Sequence, residues 1–254
     1  MVIQNEWGSE PRSWVDVASA IGPWVYGALV LLLVARAIAR RRRYEALSVL
    51  GPADQEAVRA AVADAEKKTH GDIAPVVLER SDPHPSAEWL AALVSLVVGT
   101  ALLAGVLPWD SPFALLACQL GLGALGFVLA RAMPDVKRLF VSDARATALA
   151  EEQAVQEFHR AGVHRTRDAA GVLLFVSLLE RSVVVLGDSG IHAKVGDAHW
   201  EATREAVLAG IARGSLRDGL LDGVRACGRE LERWFPAEPG QRNEVPDRLT
   251  VRRE

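Results

Sequence analysis

The chain has 254 residues, 50% of them hydrophobic, with two cysteines and a formal net charge of −3. That balance excludes the broadly basic surface that nucleic-acid binding needs. Two cysteines exclude a disulfide framework, and Cys118 and Cys227 both read as small buried hydrophobes.

Charge is unevenly placed along the chain. After an extracytoplasmic N-terminus at 1–16, residues 17–39 form a nearly uncharged run that ends in Arg40–Arg43. A cleaved signal would carry its charges before the apolar run, not after it. This segment is therefore read as a retained anchor, with the arginine block at its cytoplasmic end.

Residues 44–82 read as the first part of a folded domain. An amphipathic helix over Pro52–Thr69 leads to a strand over Asp72–Glu79. Pro75 removes a ladder donor, so the strand is expected at a sheet edge or with a late start.

Two further spans follow at 87–107 and 112–132, each near the ~20 residues that cross a bilayer. Pro108–Pro112 joins them without any Lys or Arg, as a tight helical hairpin. Small residues four apart, Ala101/Gly105 and Ala117/Gly121, permit close packing. No Asp, Glu, Lys or His lies in the middle of a span, which argues against a pump, channel or transporter. Lys and Arg concentrate between spans one and two and after span three. Both regions are expected in the cytoplasm of a multi-pass protein of the plasma (inner) membrane.

The second part of the domain is expected at 140–236. A helix over Ser142–Ala161 precedes two apolar runs, Gly171–Leu178 and Ser182–Leu186, separated by Glu180-Arg181. Unbroken Val-rich runs indicate strands buried on both faces, and so short a connection makes them an antiparallel hairpin. Helices over Ala198–Arg213 and Leu216–Phe235 close the domain, and the Pro- and charge-rich tail at 237–254 reads as disordered. A lone hairpin is marginal in water. The expected fold class is therefore α/β, a three-layer αβα sandwich with a sheet of at least three strands, plus three transmembrane helices. The membrane hairpin is an insertion into that sandwich.

Asp188, His192, Asp197 and His199 fall close together after the second hairpin strand. Carboxylates with imidazoles suit a transition metal, and carboxylates with backbone carbonyls suit Ca²⁺ or Mg²⁺. Structural roles compete: Asp188 suits a turn before Gly190, and Asp197 suits a helix N-cap. Glu180 and Arg181 fit either an ion pair or a plain hairpin turn. No cysteine nucleophile loop, Asp-x-Asp strand end or P-loop is present in the sequence.

The segment GVLLFVSLLERSVVVLGDSGIHAKVGDAHW, Gly171–Trp200, resembles the TPM domain family, which includes the photosystem II repair protein and bacterial membrane-anchored TPM proteins. Strand, Glu-Arg turn, strand, Asp-x-Gly-Ile loop and Val-x-Asp helix start follow in the family's order. Upstream, AEKKTHGDI (Ala65–Ile73) is similar to the family's Thr-x-Gly-Glu-Ile element, with Asp72 in place of Glu. The resemblance implies an αβα sandwich and a role around membrane complexes. For some relatives it implies phosphatase activity with a divalent cation held by acidic loop residues. The expected function is an interaction or assembly and quality-control module whose partners are the bilayer and other membrane proteins. The alternative is a metal-dependent phosphohydrolase using Asp188 and Asp197.

Overall fold

A computed structural model describes residues 14–40, 44–103, 111–213, 215–237 and 249–252. Arg41–Arg43, most of the loop between the second and third spans, and most of the tail lie outside the described residues. In chain order the elements are α1 (Trp14–Arg40), α2 (Ala46–Val49), α3 (Pro52–Glu66), β1 (Ile73–Leu78), α4 (Pro85–Leu102), α5 (Pro112–Ala132) and α6 (Pro134–Leu139). They continue as α7 (Asp143–Arg160), β2 (Val172–Ser177), β3 (Ser182–Gly187), α8 (Ser189–Val195), α9 (Asp197–Ala212), α10 (Leu216–Trp234) and β4 (Thr250–Arg252). They form two compact units, one from 1–41 and 84–141, the other from 42–83 and 142–254.

The first unit is helical. Segments Ile21–Ala39, Pro85–Leu102 and Pro112–Ala132 are long and apolar enough to cross a membrane. Their outward faces carry large apolar side chains, among them Trp24, Leu31, Trp89 and Phe113. In water such a surface would aggregate, and in hydrocarbon it is the solvated face. Pro85 and Pro112 occupy the first turns of α4 and α5, where a missing N–H costs nothing. The Ser111 hydroxyl caps α5 by accepting from the Ala114 N–H at 3.4 Å. Tyr26 of α1 and Ser95 of α4 share a hydrogen bond of 2.8 Å. Helices α4 and α5 come closest where Gly126 meets Ala91 and Ser95, whereas Gly121 faces open space. Of the two small pairs picked out in the sequence, Ala117/Gly121 is therefore not the contact that sets this spacing, and Gly105 of the other lies outside the described residues.

Charge is buried where this unit's apolar helices end. Glu88 in the first turn of α4 accepts from Lys137 of α6 at 2.8 Å, and both side chains are under one-tenth exposed. Arg131, in the last turn of α5, reaches the other carboxylate oxygen at 3.5 Å from a largely exposed position. Neither α6 nor this pairing was visible as a pattern, because Lys137 meets Glu88 only through the turn at Met133.

The second unit is an αβα sandwich around a four-stranded mixed sheet of order β3-β2-β1-β4. β2 and β3 are antiparallel, and β1 runs parallel to both β2 and β4. Alternation along the strands feeds two cores. Ile73, Val77, Val172, Leu174, Val176, Val183 and Val185 pack with residues of α3, α9 and α10. Ala74, Val76, Leu78, Leu173 and Phe175 pack with Ala150 and Ala154 of α7. Burial on both faces is the physical reason for the unbroken apolar runs.

β1 is central over its second half, not an edge strand, and Pro75 is accommodated by register. Val172 N–H donates to the Asp72 carbonyl and Glu79 N–H donates to the Arg252 carbonyl, so odd-numbered amides of β1 point away from β2. Pro75 is one of these, and β4 begins pairing only at Val76. The tail also differs from expectation. Thr250–Arg252 form β4, and the Arg252 guanidinium pairs with the fully buried carboxylate of Glu157, which also accepts from Arg160 at 2.7 Å. A charge-rich tail gains a strand because a buried carboxylate offers its arginine a partner.

Burial also pushes the Cys227 thiol on α10 from its ordinary value of 9.0 up to about 12. A raised folded-state value favours the neutral thiol, so its contribution to stability is complete below 9.0 and is lost as pH rises toward 12. In a Cys118→Ser background, Cys227 should resist iodoacetamide in the native protein and react on unfolding. Labelling at the rate of a free thiol would contradict this burial. For the helical unit, Lys137→Met should cost about 3–5 kcal/mol, because it leaves the Glu88 carboxylate buried without its nearer cation. Glu88→Leu/Lys137→Met should recover most of that loss in thermal unfolding of the detergent-solubilised protein. Equal losses in the single and double variants would show that the pair contributes shape alone.

Candidate functional site

The sheet sorts the candidate residues to its two ends. β1 and β2 begin, and the antiparallel β3 finishes, at one end. Asp72, Gly171 and Asp188 therefore gather there, tied by the Asp188 N–H donating to the Gly171 carbonyl at 2.8 Å. Glu180 and Arg181 lie at the opposite end, in the β2–β3 turn.

At the turn end, Glu180 points inward and is 2% exposed. Its carboxylate accepts from the Ser177 hydroxyl and from the Ser81 N–H at 3.0 Å. Arg181 takes the left-handed backbone, φ 55°, that a four-residue turn demands, and donates to the Tyr44 hydroxyl at 2.9 Å. The Glu79 carboxylate accepts from the Ala46 N–H at 3.1 Å. Glu180 and Arg181 thus bind two separate segments: Tyr44, just after the first span, and Ser81, just before the second.

At the loop end, the Thr-x-Gly element shows its purpose. Thr69 is fully buried. Its hydroxyl donates to the Phe235 carbonyl at 2.5 Å and accepts from the Gly71 N–H at 3.0 Å. Gly71 is required because a Cβ there would lie 2.5 Å from the Ala170 carbonyl oxygen and 2.6 Å from Leu231. Between them, His70 faces two acceptors, with Nδ1 at 3.1 Å from the Pro236 carbonyl and Nε2 at 3.3 Å from Asp168. Placed between these two groups, the imidazole links the end of α10 to the loop at Asp168.

Asp168 and Ala169 both carry positive φ, 60° and 50°, a strained pair costing of order 1–3 kcal/mol per residue. Gly190 explains what holds them. A Cβ at Gly190 would lie 2.0 Å from the Asp168 carbonyl oxygen, so the first turn of α8 packs directly on that backbone. Asp188 accepts from the Ser189 N–H at 2.6 Å and caps α8, a short helix where the sequence suggested only a turn.

Of the four proposed metal ligands, His192 and Asp197 lie together and the other two have separate partners. His192 lies 3.6 Å from Asp197, whose side chain is 95% exposed. His199 turns away to Glu230 of α10, at 3.8 Å, while Asp188 is engaged with its own helix. Asp197 opens α9 after Gly196, one position later than the cap expected. Among the described residues no group of three or more His, Cys, Asp or Glu side chains converges on a metal position. Asp72 is buried, 3% exposed, beside the first residue of β1.

Sequence reasoning passed over Thr69, His70 and Asp168. The first two lay in plain view in AEKKTHGDI, but their partners, Phe235 and Pro236, are far along the chain. Asp168 gave no signal, since nothing local demands its left-handed backbone. Thr69→Val should cost about 1–3 kcal/mol in chemical unfolding, because the Gly71 N–H is left buried without an acceptor. Thr69→Ser should cost clearly less. Equal losses would assign the effect to the methyl group.

The comparisons with known proteins agree with this architecture. Among curated proteins nothing matches. A solved structure, the NMR structure of BA42 protein from the psychrophilic bacterium Bizionia argentinensis, superposes with a TM-score of 0.50 at 20% identity. The match covers 80% of this chain and 94% of that one, and it speaks for the fold alone. A family match over residues 136–230, described as the TPM domain, spans the β2–β3 hairpin and most of the helices that follow. Since these residues also hold the Glu-Arg turn and the capped Asp-x-Gly-Ile loop, the chain carries a TPM domain, together with three helices able to span a membrane.

Proposed function

We propose that this chain is a membrane-anchored TPM-domain protein acting as an interaction or assembly and quality-control module for membrane complexes, at the inner face of the plasma membrane. One observation carries the proposal. Two of the three covalent connections to the candidate membrane helices are bonded at one end of the sandwich, by the β2–β3 turn. They are the connections at Tyr44 and Ser81. The opposite, loop end holds Thr69–Asp72, Asp168 and Asp188, and of these Asp168 is exposed. Lys and Arg in both domain segments favour a cytoplasmic position for the sandwich.

A fluorescent reporter fused after Phe235 should light up in the cytoplasm, and a periplasm-dependent phosphatase fused there should stay inactive. The reverse pattern would place the domain outside. Cross-linking in native membranes followed by purification should recover membrane proteins with the wild type and lose them when loop-end surface residues are exchanged. Turnover of a generic phosphoester with Mg²⁺, Mn²⁺ or Ca²⁺, abolished by Asp188→Asn, would replace the interaction reading with a catalytic one.

A further inference from the structure

A cleft of about 560 Å³ opens on the outer surface of the sandwich, between the last turns of α3 and the second half of α10. Its floor is made of small residues, Ala61, Ala65 and Gly228, so the helices approach closely there and longer side chains stand around the rim. Both helices run toward the loop end, since α3 leads into β1 and the residue after α10, Phe235, is bonded to Thr69 and His70. The cleft therefore lies toward the loop end of the sheet.

Four cations line it, Lys67, Lys68, Arg225 and Arg229, against two carboxylates, Asp64 and Glu232, in a chain whose net charge is negative. Lys67 and Lys68 have an ordinary explanation, because cations at a helix C-terminus complement its dipole. Arg225 and Arg229 lie farther from a helix end, and of the two Arg225 has an ion-pair partner, Asp222. They are like charges one turn apart on the same helix, an arrangement that destabilises helices unless something anionic lies between them. Lys67 is engaged by Asp64 at 2.7 Å, and Arg225 touches Asp222 at 3.3 Å. Among the described residues, the side chains of Lys68 and Arg229 meet no carboxylate within ion-pair distance.

The volume lies within the range of small-molecule sites, and paired guanidinium forks match the oxygens of a phosphate group. The two carboxylates are acceptors and suit hydroxyl groups, not a second phosphate. From this we infer that the cleft binds the phosphate ester of a small polyol, with Arg225, Arg229 and Lys68 on the phosphate and Glu232 on a hydroxyl. Soluble sugar phosphates and the glycerol phosphate portion of membrane lipids share that chemistry. The inference stands apart from the partner-binding role proposed above and does not use Asp188 or Asp197.

The test is calorimetric titration of the full-length protein in phosphatidylcholine nanodiscs with glycerol 3-phosphate and, separately, with inorganic phosphate. Saturable binding of glycerol 3-phosphate is expected. Arg225→Gln/Arg229→Gln should weaken it about tenfold or more, as expected for lost charge-assisted hydrogen bonds. Arg59→Gln/Arg204→Gln, which removes the same charge elsewhere on the sandwich, should leave it unchanged. Both pairs sit on exposed helix surfaces, and unfolding midpoints would confirm that the variants fold. Weaker binding in discs containing phosphatidic acid, but not in discs containing phosphatidylserine, would identify a lipid headgroup as the competing occupant. Equal binding in all discs would identify a soluble ester. No saturable binding, or an equal loss in the control pair, would overturn the site. Inorganic phosphate binding as tightly as the ester would overturn the assignment to a polyol.

Discussion

The α/β unit depends on one long-range contact, the parallel pairing of β1 with β2. Ile73 lies opposite Val172 and Leu78 opposite Ser177, with α4 to α7 between them in sequence. Without this pairing the β2–β3 hairpin would be a two-stranded ribbon, which is marginal in water. The apolar faces of α3 and α10 would then lose Ile73 and Val77 from the surface they pack on. Closing so long a connection costs less than its length suggests, because closure entropy rises only logarithmically with loop length. The inserted helices also form a compact unit of their own, so the separation of the segment's ends is set by packing and not by chain statistics.

Buried polar latches strengthen that contact at both ends of the strands. Glu180 accepts from Ser81 just beyond β1, and Thr69 bridges the chain just before β1 to the end of α10. Each latch joins segments distant in sequence, and each uses a group with little exposure. Such groups stabilise only when their partners are in place, because an unmet buried donor or carboxylate costs more than a satisfied one gains. They therefore specify the register as much as they add stability. Arg252 and Glu157 do the same at the far edge, where they fix a three-residue strand too short to hold by backbone pairing alone.

Much of this was legible from residues whose physics is local. The three apolar helices, the two-sided burial of Val172–Ser177 and the four main helices follow from hydropathy runs and periodicity, which need no knowledge of partners. Pro75 misled for the opposite reason. A proline argues against a central strand only if its missing N–H faces a neighbour, and register decides that from across the sheet. α6 and α8 are too short to show a period, and β4 has Val251 alone to mark an apolar face. The candidate metal quartet looked clustered because its members are close in sequence. On a short helix followed by a longer one, however, closeness in sequence sends His199 toward α10 and Asp188 toward its own amide.

The separation of Gly190 and Gly71 from Arg225 and Arg229 gives a rule for reading such a domain. The residues that carry the family resemblance here are the ones with the strictest geometric demands: glycines where a Cβ would strike a carbonyl, a buried threonine, a capping aspartate, an arginine in a left-handed turn. Their chemistry is accounted for by the fold, which leaves them little freedom to act on a ligand. Arg225 pairs with Asp222, Arg229 meets no carboxylate within ion-pair distance among the described residues, and both are exposed beside a small-residue floor. A pair of like charges is maintained on a helix only against its own stability. Where geometry has already explained the motif residues, specificity is better sought among side chains that the fold does not need.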